Sequence, residues 1–207
     1  MCMLVSTIFL LEGCGRVSED SSGSGADSAL YIPRDDLITS NGLRSTTGKT
    51  WIVRQTPMLD SSMVSVRVEA IGFSGDTLLF DFGQLDPVIA LHAEDLDRDG
   101  FQELYIATQS LGAEAYGTLY GLYSMGDDSL TMISYEGATP YTMKEGEPYE
   151  GYRGHDSFHF ENGKLTNTIS VYKPEDTDET PTGGTRTIEY ELVNGPVAIR
   201  LWPRRPK

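Results

Sequence analysis

Three aspartates at alternate positions carry the most specific chemistry in this sequence. Asp95, Asp97 and Asp99 are followed by Gly100, and Glu103 stands ninth when counted from Asp95. A loop that turns alternate carboxylates inward supplies the oxygen ligands that Ca2+ prefers, and the glycine permits the sharp turn between them. The spacing predicts a structural calcium site. The alternative is a solvent-exposed acidic turn that joins two strands.

The residue types of common catalytic sites are present, but their spacing does not indicate an active site. Ser110 lies in QSLGA, which is not the Gly-x-Ser-x-Gly turn of many serine hydrolases. His155 and His159 fall in a strand-like segment with no third metal ligand nearby in sequence, and His92 lies in an apolar run, as a core or strand-edge histidine would. Nothing singles out a carboxylate pair for glycosidic chemistry. We therefore expect a protein that is not an enzyme and requires no cofactor.

The charge balance limits the partners of the chain. Its 207 residues include 16 Lys and Arg against 31 Asp and Glu, a formal net charge of -15. Nucleic acids are bound through clustered basic side chains, so this composition argues against a nucleic-acid partner. An acidic surface favours rapid encounter with a basic protein. The alternative is a solvated surface that serves no partner.

The N-terminal segment is similar to the end of a bacterial lipoprotein signal. Residues 1–13 contain a short apolar run that ends in Leu-Glu-Gly before Cys14, and the run is too short to span a bilayer. We expect export, acylation of Cys14 and a polar tether over residues 14–29, so that the membrane is reached through the lipid only. Since no Lys or Arg precedes the run, unlike in most secretory signals, a cytosolic protein with an apolar N-terminus is the alternative.

Residues 30–207 form the predicted folded domain, and their pattern is typical of β-strands. Apolar and polar residues alternate over residues 64–70, as in a strand with one buried face. Further short apolar runs, separated by turn residues, lie at 77–82, 88–93, 103–109, 117–125 and 130–135. Because no long amphipathic helix is evident, we predict a single all-β domain, an antiparallel β-sandwich or a barrel-like sheet.

Two Asn-Gly pairs predict the positions of hairpins. Asn162-Gly163 and Asn194-Gly195 each stand between strand-like runs. Asparagine and glycine both tolerate the positive φ angles that a two-residue hairpin turn requires. We therefore expect a tight turn at each pair.

Three segments, in order along the chain, together resemble the periplasmic inhibitors of invertebrate-type lysozyme. They are LDPVIALHAEDLDRDGFQELYIATQSLGAEAYG, GYRGHDSF and VYKPEDTDETPTGGTRTIEYEL. The resemblance covers most of residues 50–201. It implies an antiparallel β fold, a location in the periplasm of a Gram-negative bacterium with a lipid anchor in the outer membrane, and tight binding to a secreted lysozyme, often by a homodimer.

The resemblance also implies two binding loops. The lysozyme-binding loop would comprise Ser110, Gly112, Ala113, Glu114 and Tyr116, and the second loop would comprise Pro181, Gly183, Gly184 and Arg186. In the first loop, Ala113, Glu114 and Ala115 replace a Ser-Gly-Ser centre. The replacement removes two hydroxyl donors, adds an acid and removes a glycine suited to positive φ.

The expected function is inhibition of a secreted lysozyme by insertion of the first loop into its active-site cleft, with the invertebrate type favoured. Lysozymes cleave glycosidic bonds with two carboxyl groups in an open cleft. A rigid loop that offers hydroxyl and backbone N–H groups can enter such a cleft and hydrogen-bond those acids. The alternative is a calcium-stabilised surface or adhesion module without inhibitory activity.

Overall fold

The computed structural model describes residues 30–31, 40–59, 61–74, 76–178, 180–195 and 197–205. The predicted signal segment, the tether and Cys14 lie outside the described residues. Every regular element within those ranges is a β-strand, and none of the described residues forms a helix long and apolar enough to cross a membrane. The predicted all-β fold class is confirmed.

The described part of the chain contains thirteen strands. In chain order they are β1 (Leu30–Tyr31), β2 (Ser40–Arg44), β3 (Thr50–Pro57), β4 (Val64–Phe73), β5 (Asp76–Leu85), β6 (Val88–Glu94), β7 (Glu103–Gln109), β8 (Gly117–Met125), β9 (Ser129–Tyr135), β10 (Ser157–Phe160), β11 (Leu165–Ser170), β12 (Thr185–Asn194) and β13 (Ile199–Pro203). The apolar runs predicted as strands correspond to β5 to β9.

The strands form two sheets. A four-stranded sheet has the order β2-β3-β4-β5, and a nine-stranded sheet has the order β1-β6-β7-β8-β9-β13-β12-β11-β10. Neighbouring strands are antiparallel except β9 and β13, which pair in parallel from Ile133 with Ile199 to Tyr135 with Leu201. The predicted antiparallel character is confirmed, and this one pair, which the sequence did not predict, is its exception. The chain forms β10, β11 and β12 between β9 and β13, and this provides the long crossover that a parallel pair needs.

One hydrophobic core lies between the four-stranded sheet and one face of β6 to β8. Val64, Val66, Val68 and Ala70, the alternating residues of β4, are all buried there. They belong to one cluster with Trp51 of β3 and with apolar side chains of β6, β7 and β8. The predicted alternation is confirmed, and each fully buried valine contributes about 1.5–3 kcal/mol of transfer free energy.

A second core lies on the opposite face of β7 and β8. Tyr105, Ala107 and Leu119 point into it, together with buried side chains of β9 to β13 such as Ile169 and Leu201. Because β7 is covered on both faces, its residues are buried without interruption from Glu103 to Thr108.

The nine-stranded sheet curls so that its last strand returns to β6 and β7. Phe160 of β10 stacks on His92 of β6 with ring centroids 4.2 Å apart, and it lies 4.9 Å from Tyr105 of β7. His92 is buried in this contact, as expected for a core histidine. The curl brings the β10–β11 hairpin beside the turn after β6, where the N–H of Gly163 donates to the Glu94 carboxylate at 2.9 Å.

The two Asn-Gly pairs behave differently. Asn162 and Gly163 have φ angles of 53° and 68°, so the tight turn between β10 and β11 is confirmed. Asn194 and Gly195 are not among the residues with positive φ. Asn194 is a strand residue paired with Ile199, and the N–H of Gly195 donates to the carbonyl of Ala198 at 3.2 Å. The pair therefore continues the β12–β13 pairing, and the tight turn predicted at Asn194-Gly195 is wrong.

Replacing Gly163 by alanine tests the first turn. The left-handed φ disfavours any side chain, and a Cβ atom there would lie 3.3 Å from the carbonyl oxygen of Asp95. We expect Gly163→Ala to lower the free energy of unfolding by about 1–2 kcal/mol in urea denaturation. Gly42→Ala is the matched control, because Gly42 lacks positive φ and a Cβ there meets no atom within 4 Å. An equal loss in both variants would contradict the assignment of this turn.

Candidate functional site

The β7–β8 connection forms a compact closed loop, residues 110–116. The backbone N–H of Ser110 donates to the carbonyl of Tyr116 at 2.9 Å, and the N–H of Tyr116 donates to the Ser110 hydroxyl at 2.9 Å. Within the loop, the N–H of Ala115 donates to the carbonyl of Gly112 at 3.1 Å. The two ends are thus held together directly above the last ladder pair of the hairpin.

The tip of this loop faces solvent and offers hydrogen-bond donors. Leu111 and Tyr116 are 49% and 44% exposed. Within the described residues, the backbone N–H groups of Leu111, Gly112 and Ala113 donate to no other group. The tip therefore combines an apolar side chain, an aromatic ring and three free N–H groups.

The centre of the loop differs from the sequence-based expectation. The glycine that the resemblance implies at position 114 would suit positive φ, but the loop residue in that conformation is Ala115, with φ of 45°. The Glu114 carboxylate lies back over Gly112, since its Oε2 is 2.9 Å from where a Cβ of Gly112 would stand.

Gly154 clamps the loop from the side. Its φ is 105°, and a Cβ atom there would lie 1.9 Å from the carbonyl oxygen of Glu114. The following N–H, of His155, donates to that same carbonyl at 2.8 Å. No residue other than glycine fits this approach, so the glycine of the Gly-His-Asp motif is explained by backbone contact with the loop.

Asp156 anchors the end of the loop from inside the protein. Its buried carboxylate accepts hydrogen bonds from the N–H of Gly117 at 2.7 Å, from the amide of Asn167 at 2.6 Å and from the hydroxyl of Tyr152. Burial raises the pKa of Asp156, although these three donors act to lower it. The sequence contained this residue in GYRGHDSF, but its link to the loop was not predicted.

The second predicted loop lies at the same end of the protein. The ring of Tyr172 stacks on His155, with ring centroids 6.5 Å apart, and the Arg153 guanidinium lies 5.1 Å from the Tyr172 ring centroid. The neighbouring Val171 accepts a hydrogen bond from Gly183 at 2.9 Å. His155 and Tyr172 thus connect the 110–116 loop with the 180–184 segment.

The members of the second loop have separate roles. Gly183 approaches the backbone closely, since a Cβ there would lie 2.5 Å from the carbonyl oxygen of Val171, whereas Gly184, with φ of 80°, faces open space. Pro181 is exposed. Arg186 points elsewhere, because it donates to the carbonyls of Pro148 and Glu150 at 3.2 and 2.9 Å and so braces the segment between β9 and β10.

The three aspartates predicted to bind calcium do converge. One carboxylate oxygen from each of Asp95, Asp97 and Asp99 lies within 4.8 Å of the other two. Asp95 also accepts the N–H of Gly100 at 2.9 Å, and the hydroxyl of Tyr123 donates to Asp97 at 2.8 Å. Within the part of the chain that the structure describes, this is the only grouping of acidic, histidine or cysteine ligands that could hold a metal ion.

Glu103 is completely buried beneath these aspartates, at the start of β7. Its Oε2 accepts a hydrogen bond from the N–H of Leu96 at 3.3 Å and a longer one from the hydroxyl of Tyr105 at 3.4 Å. Its Oε1 is buried and accepts no hydrogen bond. Burial, reinforced by the nearby aspartates, raises the pKa of Glu103 to about 8.

The remaining histidines do not form a site. His155 precedes β10 and has a φ of 60°, so it does not belong to the strand that contains His159. The Nε2 of His159 lies 3.1 Å from the hydroxyl of Ser157. Neither ring belongs to a metal-ligand grouping of the described residues.

Comparison with known proteins identifies no relative: no family model, curated protein or solved structure matches the chain.

Replacing Asp156 by asparagine tests the anchor of the loop. The amide cannot accept all three hydrogen bonds and places an N–H2 group against existing donors, so we expect a loss of about 1–3 kcal/mol in the free energy of unfolding. Asp178→Asn is the matched control, because Asp178 is exposed and pairs only with Arg153; it should cost less than about 1 kcal/mol. Urea denaturation of both variants measures the difference, and equal values would contradict an anchoring role.

Proposed function

We propose that this protein is a periplasmic inhibitor of a secreted lysozyme, anchored through acylated Cys14, that inserts the 110–116 loop into the active-site cleft of the enzyme. The observation that carries the proposal is an exposed tip on a fixed base. The base is held by the Asp156 carboxylate at Gly117 and by the Gly154–His155 backbone at Glu114. A preorganised loop loses little conformational entropy on binding, which favours affinity.

The donors at the tip suit a cleft lined by carboxyl groups. The free N–H groups of Leu111, Gly112 and Ala113 can hydrogen-bond a carboxylate, and such charge-assisted bonds are stronger than neutral ones. They take the place of the two serine hydroxyls that the resemblance would lead one to expect. The hydroxyl of Ser110 accepts the N–H of Tyr116 and keeps its own proton for a further bond.

Tyr116 is the proposed aromatic anchor of the interface. Its ring is nearly half exposed and packs against Tyr152 with centroids 5.9 Å apart. Tyrosine is enriched among the few interface residues that carry most binding energy. Because one side of the ring is already fixed by Tyr152, little side-chain freedom remains to be lost on binding.

Charge acts in two opposite ways. The net charge of -15 steers the protein toward a basic enzyme. Glu114 opposes binding close to the two catalytic acids, since like charges in one site repel. Its carboxylate lies over Gly112, one of the three proposed donors, so this repulsion acts at the tip of the loop.

A calcium-stabilised surface module without inhibitory activity is the second candidate. The convergence of three aspartates favours this second candidate. However, a calcium-stabilised module gives no role to the 110–116 loop. Lysis assays separate the two candidates, because only the first predicts inhibition. Formation of a homodimer remains a prediction for either.

Inhibition should depend on Tyr116. In cell-wall lysis assays with invertebrate-, chicken- and goose-type lysozymes, we expect the purified protein to inhibit at least one enzyme. Tyr116→Ala should raise the inhibition constant about 30-fold, as loss of an interface anchor worth about 2 kcal/mol does. The control is Tyr141→Ala, since Tyr141 is 75% exposed and lies outside both loops. The proposal fails if none of the three enzymes is inhibited at micromolar protein.

The Ala-Glu-Ala centre should limit affinity. The combined variant Ala113→Ser, Glu114→Gly and Ala115→Ser restores two hydroxyl donors and removes the acid, so we expect at least about tenfold stronger inhibition. Glu114→Gln separates the effect of charge from that of the hydroxyls. Unchanged or weaker inhibition by the combined variant would show that this loop does not meet the catalytic acids.

A further inference from the structure

We propose that Asp95, Asp97, Asp99 and Glu103 bind one calcium ion. The site lies in the turn between β6 and β7 and is separate from the 110–116 loop. The calcium proposal can therefore be tested independently of lysozyme inhibition.

The unpartnered oxygen of Glu103 is the observation that points to a ligand. Glu103 is completely buried, and its Oε1 has no hydrogen-bond partner. A buried polar group without a partner costs about 1–3 kcal/mol, and a charged one costs more. The carboxylate lies against the inner side of the turn, where its other oxygen contacts the N–H of Leu96. A cation held between the turn and Glu103 would satisfy the free oxygen.

The spacing of the aspartate oxygens fits the coordination sphere of calcium. Calcium binds oxygen at about 2.3–2.6 Å, so two ligands of one ion lie at most about 5.2 Å apart. Oxygens of Asp95, Asp97 and Asp99 lie within 4.8 Å of one another. The three can therefore reach one ion without rearrangement of the backbone.

The order of residues matches the first seven positions of a calcium loop, whereas the twelfth, where such loops carry a bidentate glutamate, is Ile106. Asp95, Asp97 and Asp99 occupy the first, third and fifth positions, and Gly100, with φ of 96°, occupies the sixth, where calcium loops need a glycine. The seventh position, which supplies a backbone carbonyl in such loops, is Phe101. Glu103 stands at the ninth. Its oxygens lie outside the 4.8 Å grouping of the three aspartates, so its side chain would turn toward the ion to become the fourth carboxylate.

The surroundings favour calcium over magnesium and connect the ion to the fold. A set of four carboxylates suits the flexible six to eight oxygen ligands of calcium, whereas magnesium retains several waters in a stricter octahedron. The hydroxyl of Tyr123 on β8 orients Asp97, as outer-shell groups do at metal sites. Gly163 donates to Glu94 beside the turn at 2.9 Å. An ion here would join β6, β7, β8 and the β10–β11 hairpin.

Calorimetry and thermal unfolding of the full chain test the site, after chelator treatment and with calcium or magnesium added back. We expect one calcium per chain with a dissociation constant of about 0.1–1 mM, as in extracellular modules. At a calcium concentration 100-fold above that constant, the melting temperature should rise by about 5–10 °C. Magnesium at the same concentration should raise it much less.

Two ligand variants and one control assign the site. Glu103→Gln keeps the shape of the side chain and should weaken calcium binding at least about tenfold. Asp97→Asn is the second ligand variant. Because Asp97 is exposed on the turn, this variant should fold even if Glu103→Gln does not, and the test then rests on it. Glu175→Gln, an exposed acid elsewhere, removes the same charge and should bind calcium as the unaltered chain does.

Two results would overturn the proposal. One is an unaltered chain whose melting temperature is the same in excess chelator and in about 10 mM calcium, ten times the weakest expected dissociation constant. The other is an equal response to calcium in the unaltered chain, in Asp97→Asn and in any Glu103→Gln that folds. That pattern would place the ion elsewhere on the acidic surface.

Discussion

The double burial of β7 is the constraint on which the rest of the structure depends. One face of β7 packs against the four-stranded sheet through Leu104 and Ile106, and the other face packs into the second core through Tyr105 and Ala107. A one-residue shift of β7 would move Tyr105 and Ala107 into the first core and Leu104 and Ile106 into the second. Because each core is close-packed around side chains of particular shapes, the shift would create cavities and clashes in both. The turns at its two ends, which hold the aspartates and the 110–116 loop, are therefore fixed in position.

Two buried carboxylates lie beside these turns, and they differ in how fully they are hydrogen-bonded. Asp156 accepts three hydrogen bonds and serves as the structural link between Gly117, Tyr152 and Asn167. Glu103 is buried as deeply but leaves one oxygen without a partner. Burying an unsatisfied carboxylate is costly, and burying a satisfied one is much less so. Asp156 therefore completes the fold, whereas Glu103 is the proposed ligand of a cation.

The proposed interaction surface follows from the curl of the large sheet. Because β10 returns over β6 and β7, the residues just before β10 reach the β7–β8 loop, and Gly154 and Asp156 can hold it. Tyr172, just after β11, extends this contact to the second loop through His155. The exposed tip can thus be small and still rigid, since its support comes from strands distant in sequence.

The sequence by itself determined the features that depend on neighbours along the chain. The alternation over residues 64–70, the Asn162-Gly163 turn and the convergence of the three aspartates all follow from local backbone geometry. Only the tertiary structure decided the parallel pairing of β9 with β13, the strand conformation of Asn194, the bracing role of Arg186 and the anchoring of the loop by Asp156. Each of these depends on contacts between residues far apart in sequence, and a local pattern of residue types carries no information about which distant strand will pack against it.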